Sequence, residues 1–375
     1  MGCIDRSTCR NLGHGQHPEN DECSQRRAPA DEDCSTPPTL SVLMSVHNGR
    51  RYLGRAIESI QNQTFRDFEF LIVNDASTDG SGGVCRRYAD SDSRIRVLSN
   101  SSTRGLAFSL NKAWSVSKGT YLARMDADDV SLHDRFEKEI EYLEDHPEIG
   151  LVGCFFREMD GEGTVSEVVS DFPTEPAVLQ WRLFLENPIP HPCVMMRRSI
   201  FEQMGGYDER WSISQDYDFF VRSSRITRLS NVPEVLYHRR VHDGSVTCTR
   251  NEEQRLAALS ISQGAIEFAL EDRVSYPLVE TIWDRTLSSC KSAVEVSAVL
   301  HRLCNHILSQ PRWTADERRI LCDFVTTKLF YYLRPHLQKP ATWPLVARIA
   351  RLSPTVMWRL AYGWSRRRVT ELQRR

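Results

Sequence analysis

Four short apolar runs, alternating with amphipathic stretches, constrain this chain more than any other feature. They begin at Leu40, Phe68, Ile95 and Tyr121. Leu40-Ser-Val-Leu-Met-Ser-Val46 and Phe68-Glu-Phe-Leu-Ile-Val73 have the length and content of buried strands. Between them, Tyr52 to Gln63 carries Leu53, Ala56, Ile57 and Ile60 at helical spacing. Gly83 to Ala89 and Gly105 to Val116 read as the next two helices, and Ile95 to Leu98 as the third strand. Strand–helix alternation of this kind implies an α/β fold, a parallel sheet with helices on both faces.

In such a sheet, ligands bind beyond the C-terminal ends of the strands. Those ends carry His47-Asn48, Asp75 and Asp126-Ala-Asp128-Asp129. The last is the most informative. Tyr121 to Ala123 reads as a buried strand, yet it runs into three carboxylates. Carboxylates are costly to bury unpaired, and oxygen ligands at a strand end suit a hard divalent cation. Taken alone, the acidic run is equally a capping turn, with Asp129 or Ser131 as N-cap before His133-Asp-Arg-Phe136. Three polar strand ends on one rim favour a nucleotide-and-metal site. The absence of Gly-x-Gly-x-x-Gly and Gly-x4-Gly-Lys-Ser/Thr sequences argues against dinucleotide and P-loop sites.

Beyond the rim, Leu132 to Leu143 reads as a helix and Ile149 to Phe156 as a strand, with Gly161-Glu-Gly163 turning a hairpin. Pro176 to Leu185 reads as a helix. Asn187-Pro-Ile-Pro-His191-Pro192 is rigid and expected to be non-helical. Cys193 to Met196 is a strand, Arg198 to Met204 a helix, and Gly205-Gly206 a turn. A helix opening at Ser214-Gln-Asp216-Tyr-Asp218 has an acidic first turn that suits the helix dipole. Arg240 and His242 could neutralise a phosphate or sit in an exposed turn. Helical periodicity starts at Asn251, and Pro335, Pro340, Pro344 and Pro354 interrupt the tail. The expected organisation is a disordered segment over 1–38, an α/β domain over 39–248 and a helical region over 249–375.

Charge and cysteine use narrow the class. The net charge of −2 gives no global attraction to nucleic acid. Eleven cysteines are scattered without tight repeats, which suggests a reducing compartment. Cys3, Cys9, His14, His17, Cys23 and Cys34 lack the Cys-x2-Cys pair of a zinc motif. No charged-then-apolar leader opens the chain, and no apolar run approaches the ~18 residues of a membrane span. The expected location is cytoplasmic. The tail carries Arg348, Arg351, Arg359 and Arg366 to Arg368 among Trp358, Tyr362 and Trp364. Such a pattern fits peripheral contact with an anionic membrane, or a helical subdomain with a basic outer face.

These motifs, in this order, resemble the family-2 glycosyltransferases. The resemblance covers roughly residues 39–248. It rests on Leu40 to Asn48, Phe70-Leu-Ile-Val-Asn-Asp75-Ala-Ser-Thr-Asp79-Gly, Asn111-Lys-Ala, Arg124-Met-Asp126-Ala-Asp128-Asp129, Gly205-Gly-Tyr-Asp208, Gln215-Asp216-Tyr-Asp218 and Arg240-Val-His242. It implies the GT-A fold: a Rossmann-like, mostly parallel central sheet, here with a C-terminal helical extension. It implies transfer of a sugar from a nucleotide-diphospho-sugar, UDP-sugar being the commonest donor, to a glycan or glycolipid hydroxyl. Mn or Mg usually assists, and the family is mostly inverting. Carried over by position, Val46, His47 and Asn48 would line the nucleotide, Asp75 would bond the base and Asp126 would sit at the ribose. Asp128 would ligate the metal, His242 would lie at its diphosphate end, and Asp216 would be the general base. Ser45 and His47 stand where Pro and Tyr are common, and Gln215 where Glu is. A nucleotidyltransferase and a non-catalytic nucleotide-sugar-binding module are the competing readings. Val46-His-Asn-Gly-Arg50 is a poor triphosphate loop, and the presence of both Asp128 and Asp216 speaks against the module.

Overall fold

The computed structural model describes residues 36–244, 249–285, 287 and 289–362. The N-terminal segment expected to be disordered lies outside these residues up to position 35, with its cysteines and histidines, as do Trp364 and Arg366 to Arg368.

The opening half follows the alternation: β1 (Leu40–Val46), α1 (Arg50–Gln61), β2 (Phe68–Asp75), α2 (Ser81–Ser91), β3 (Ile95–Asn100), α3 (Leu106–Ser115) and β4 (Tyr121–Asp126). β1 is central and pairs in parallel with β2 and β4, while β3 pairs in parallel with β2. α1 is held by its apolar stripe. Leu53, Ile57 and Ile60 are fully buried, each worth about 1.5–3 kcal/mol relative to exposure. The register sets the rim: Val46 lies opposite Asn74, Ser45 opposite Asp126, and Asp75 opposite Asn100. Polar residues far apart in sequence therefore arrive on one edge.

The second half of the sheet is mixed. β5 (Val130–Ser131) follows the acidic run, then α4 (Arg135–Asp145), β6 (Ile149–Met159), β7 (Val165–Val169), α5 (Pro176–Arg182), β8 (Met195–Arg197), α6 (Arg198–Met204), α7 (Gln215–Ser223) and β9 (Arg228–Arg240). β8 joins β4 to β6 by antiparallel pairing, and β6 pairs in parallel with β9. The strand order is β3-β2-β1-β4-β8-β6-β9-β5, with β7 on β6 as the expected hairpin.

Three local expectations are corrected. Asp129 and Ser131 do not cap a helix: the chain continues into β5, and Asp134 precedes α4, which starts at Arg135 rather than Leu132. The run read as a post-sheet turn around Leu236 to Arg240 is the end of the long strand β9. The proline-rich segment is not wholly extended. His191–Cys193 forms one 3-10 turn with proline in its first turn, where a missing N–H costs nothing.

From Asn251 the chain forms helices Asn251–Leu270, Tyr276–Asp284, Cys290–Ser309, Ala315–Leu333 and Trp343–Leu352. Thr314 and Glu317 make a reciprocal capping box at the start of Ala315–Leu333. These helices share an apolar cluster with the sheet domain: Leu259, Leu300, Leu329 and Ile349 belong with Leu43, Trp181 and Phe219. Trp181 Nε1 donates to the Leu300 carbonyl at 3.3 Å, and Arg312 donates to Gln180 Oε1 and the Ser224 carbonyl at 2.6 and 2.7 Å. Among the described residues no helix is long and apolar enough to cross a membrane.

Candidate active site

The first strand end is built from interlocked loops. Asn48 adopts a left-handed conformation, φ 52°, which asparagine tolerates better than most residues. Its Oδ1 accepts from Thr78 N at 2.8 Å, and its own N–H donates to Ser77 Oγ at 3.0 Å. His47 Nδ1 lies 2.7 Å from the Asp75 carbonyl. Asp75, the expected base reader, is 2% exposed. Its Oδ1 accepts from Asn100 Nδ2 and Arg104 N, and its Oδ2 from Gly105 N, all at 2.8 Å. Asp75 thus holds the turn from β3 into α3. Oδ2, with one donor, keeps acceptor capacity for a ligand.

The second strand end carries the acidic cluster. One carboxylate oxygen from each of Asp126, Asp128 and Asp129 can be chosen so that all lie within 4.8 Å of one another. β5 pairs with β9 through Val130–His238 and Ser131–Tyr237, which lays the end of β9 across the acidic run. His242 Nε2 consequently lies 3.0 Å from Asp128 Oδ2, and Arg240 N donates to Asp129 Oδ1 at 2.6 Å. The Arg240 guanidinium donates to the Asp128 and Asp160 carbonyls at 2.8 Å and stacks on the Tyr52 ring at 4.4 Å. Burial and the Asp126 charge push Asp128 and Asp129 above the usual carboxylate range, against a lowering by His242 at Asp128 and by Arg240 N–H at Asp129.

Arg124 belongs to β4, two residues before Asp126 and on the same face of the strand. It is 4% exposed and pairs with Asp126. Burial works against its charge, but Asp126 more than compensates and holds the guanidinium firmly protonated. Its Nε has no hydrogen-bond partner. The same charge lowers the pKa of Asp216 and of His191, so these groups share one electrostatic neighbourhood.

Asp216 is the second residue of α7, which Ser214 enters at φ 60°. Asn187 Nδ2 donates to Asp216 Oδ2 at 2.8 Å. The dipole at this helix start favours the ionised carboxylate. Burial instead dominates and raises its pKa, partly offset by the Tyr217 N–H, Arg124 and Asn187. Beneath it, Asn111 brackets Tyr207, accepting from its N–H and donating to its carbonyl, both at 2.9 Å. Gly206 sits at φ 84°, and a Cβ there would fall 2.7 Å from Asn111 Oδ1, so the turn requires glycine.

The structure therefore brings Asp126, Asp128 and His242 together and sets Val46, His47, Asn48 and Asp75 on the adjoining strand ends, with Asp216 on a separate element, near enough for the Arg124 charge to act on it. Arg124 and Asn187 were given no role from sequence, and Asp129 only that of a member of the acidic run or an alternative N-cap. Arg124 had a legible signal: a cation inside an otherwise apolar strand, in step with Asp126. Asn187 had none, because its partner is 29 residues away.

The cluster fits a hard divalent cation, since its donors are carboxylates with one imidazole and a cation would relieve the repulsion among them. Comparison with known proteins points the same way. Residues 41–205 match Glycosyl transferase family 2. The putative glycosyltransferase EpsE of Bacillus subtilis is 31% identical over 66% of this chain and 86% of its own length. The O-antigen biosynthesis glycosyltransferase WbnJ of Escherichia coli is 30% identical over 55% of this chain and 81% of its own. S. aureus TarS 1–349 in complex with UDP-GlcNAc aligns with TM-score 0.53 at 15% identity, covering 87% of this chain and 92% of that one. The mannosyltransferase PcManGT from Pyrobaculum calidifontis, in complex with GDP-Man and Mn2+, aligns with TM-score 0.50 at 17% identity, covering 86% and 88%. The shared fold is GT-A.

Proposed function

Because the chain belongs to the family-2 glycosyltransferases, we propose that it transfers a sugar from UDP-sugar to an acceptor hydroxyl with inversion, in polysaccharide or glycolipid synthesis. The observation that carries this reading is the separation of two carboxylate environments on one rim: a cluster with His242 at β4, and a lone Asp216 on α7. A metal site and a separate base are the minimum set for activating a diphosphate leaving group and a weak hydroxyl nucleophile. The O-antigen biosynthesis named for WbnJ supports a polysaccharide product, and the GDP-Man and Mn2+ bound by PcManGT support a nucleotide-sugar donor and a divalent ion.

In this reading Val46, His47, Asn48 and Asp75 hold the nucleotide and Asp126 reaches the ribose. Asp128 and His242, with Asp129 in reach, would hold Mn or Mg, which supplies Lewis-acid neutralisation of the diphosphate. Asp216 accepts the proton of the acceptor hydroxyl as its oxygen bonds the anomeric carbon and the nucleoside diphosphate leaves. Asn187 fixes the Asp216 carboxylate by donating to Oδ2. Arg124 holds Asp126. The segment from Phe172 to Gly206 and the C-terminal helices carry the acceptor side of the protein.

A thermal-shift screen of nucleotide sugars with Mn tests the donor, because a ligand that binds only the folded state raises Tm by mass action. Uridine-linked donors are expected to give the largest shift, and turnover to release nucleoside diphosphate. Pyrophosphate as the product would make the protein a nucleotidyltransferase and overturn the reading.

We also place the protein on the cytoplasmic face of an anionic membrane. Trp343 and Trp358 are 61% and 67% exposed, on a stretch that also carries Arg348, Arg351 and Arg359. Basic side chains near such a surface contribute about 1 kcal/mol each. Truncation at Trp343 is a poor test, since Leu345 and Ile349 pack into the core. Trp343→Ser with Trp358→Ser is expected to weaken binding to phosphatidylserine vesicles and leave Tm unchanged. Vesicle binding indifferent to both the substitutions and salt would end the membrane role.

A further inference from the structure

A cavity of about 560 Å³ lies between the 171–186 segment and the helices Tyr276–Asp284 and Ala315–Leu333. We propose that it binds a neutral oligosaccharide, the non-reacting portion of the acceptor. The proposal rests on the transferase reading given above.

The first argument is place. Glu186 on the cavity wall immediately precedes Asn187, whose amide holds Asp216 at 2.8 Å. Trp283, also on the wall, faces the ring of Tyr217 with centroids 6.0 Å apart, and Tyr217 follows Asp216 in α7. Each link from the cavity wall to the base is thus one chain bond plus one side-chain contact, which sets the cavity beside the segments that hold Asp216.

The second argument is size and character. The volume falls within the ~300–1,000 Å³ typical of ligand sites. The cavity opens to solvent, with Arg285 and Lys328 exposed at its wall, and it combines aromatic faces with charged side chains. Phe172, Trp283, Phe324 and Tyr332, each partly exposed, offer flat apolar surface, which suits the C–H faces of sugar rings. Carboxylates accept from hydroxyls and guanidinium groups donate to them in fixed planar geometry.

The third argument is charge. Asp171, Glu175 and Glu186 are matched by Arg182, Arg285 and Lys328. Arg182 and Arg285 both pair with Glu186, the latter at 3.6 Å. A wall balanced in this way has no net field to select an ionised ligand, so the occupant is an uncharged glycan.

The test is direct binding, independent of turnover. Neutral linear tetrasaccharides of glucose, galactose, mannose and N-acetylglucosamine are titrated against the full chain, read by tryptophan fluorescence and saturation-transfer NMR. At least one is expected to bind, and Tyr332→Ala to raise its Kd about tenfold or more, about 1.4 kcal/mol. Lys328→Ala, at an exposed position that does not threaten folding, is expected to raise it by a smaller factor. Both variants should cleave donor in the absence of acceptor at the parental rate. Absence of binding by every tetrasaccharide at millimolar concentration, or binding that both substitutions leave intact, overturns the proposal. Donor cleavage without saccharide binding removes the cavity's role and leaves the transferase reading in place. Saccharide binding lost in Tyr332→Ala without donor cleavage in the parent sustains the cavity and removes that reading.

Discussion

Asp128→Asn is expected to remain folded and to lose the Mn-dependent part of its affinity for UDP. Three carboxylates share this corner of the rim, and burial together with Asp126 raises the pKa of Asp128. A raised carboxylate pKa means the folded protein holds a proton that the unfolded chain releases. Ionising Asp128 therefore costs folding stability once pH rises above the ordinary aspartate value of about 3.9. Asparagine removes that cost, keeps an acceptor for His242 Nε2 and should leave Tm without metal equal to the parent's or higher. What it removes is one full negative charge from the donor set. Changes to groups merely supporting a metal ligand cost about 10–100-fold in affinity, so loss of the ligand charge itself should cost at least that. Isothermal calorimetry of UDP with and without Mn reads the difference. A folded variant whose affinity still rises with Mn as the parent's does would remove Asp128 from the metal site.

Much of this was legible because the relevant signals are local. The apolar runs at Leu40, Phe68 and Tyr121 mark the strands, and their shared C-terminal rim follows from parallel pairing, while their order and register come from the structure. In the mixed half of the sheet the strands at Ile149 and Cys193 to Met196 were legible, but their pairing was not. β8 is three residues long, and its antiparallel partners on β4 and β6 are set by tertiary contacts rather than by its own pattern. β9 looked like a post-sheet turn because its basic end, His238 to Arg240, breaks the apolar period. The same fact hid the role of Asp129. A short acidic run reads as a helix cap until β9 is known to supply Arg240 N as its hydrogen-bond donor. Asp75 shows the converse. Its position on the rim was evident, but the three donors that occupy it come from Asn100, Arg104 and Gly105, and a sequence does not reveal how a loop folds back on a carboxylate.

Asp216→Asn is expected to bind donor and metal like the parent and to transfer roughly 10²-fold more slowly or worse, the loss typical of a general base. The substitution is mild structurally. Asn187 Nδ2 can still donate to the amide oxygen, and the first turn of α7 tolerates asparagine. Burial raises the Asp216 pKa, so in the folded state its ionised form is disfavoured relative to the unfolded chain. That contribution grows as pH rises from about 3.9 through the folded value. Asparagine escapes it, and stability at neutral pH should hold or improve. The raised pKa also makes Asp216 a stronger proton acceptor than an exposed aspartate. The parental kcat/KM should then fall at low pH with a midpoint above about 3.9, and this limb should vanish from the residual activity of the variant. The pH profile separates a base from a merely structural residue, since lost packing would lower the rate without deleting an ionisation. Parental transfer rates in Asp216→Asn would move the base elsewhere, with Asp218 next to test, although Asp218 already pairs with Arg222 Nε at 2.8 Å. Loss of donor binding together with transfer would instead assign Asp216 to the donor side of the rim, where Arg124 already ties it electrostatically to Asp126.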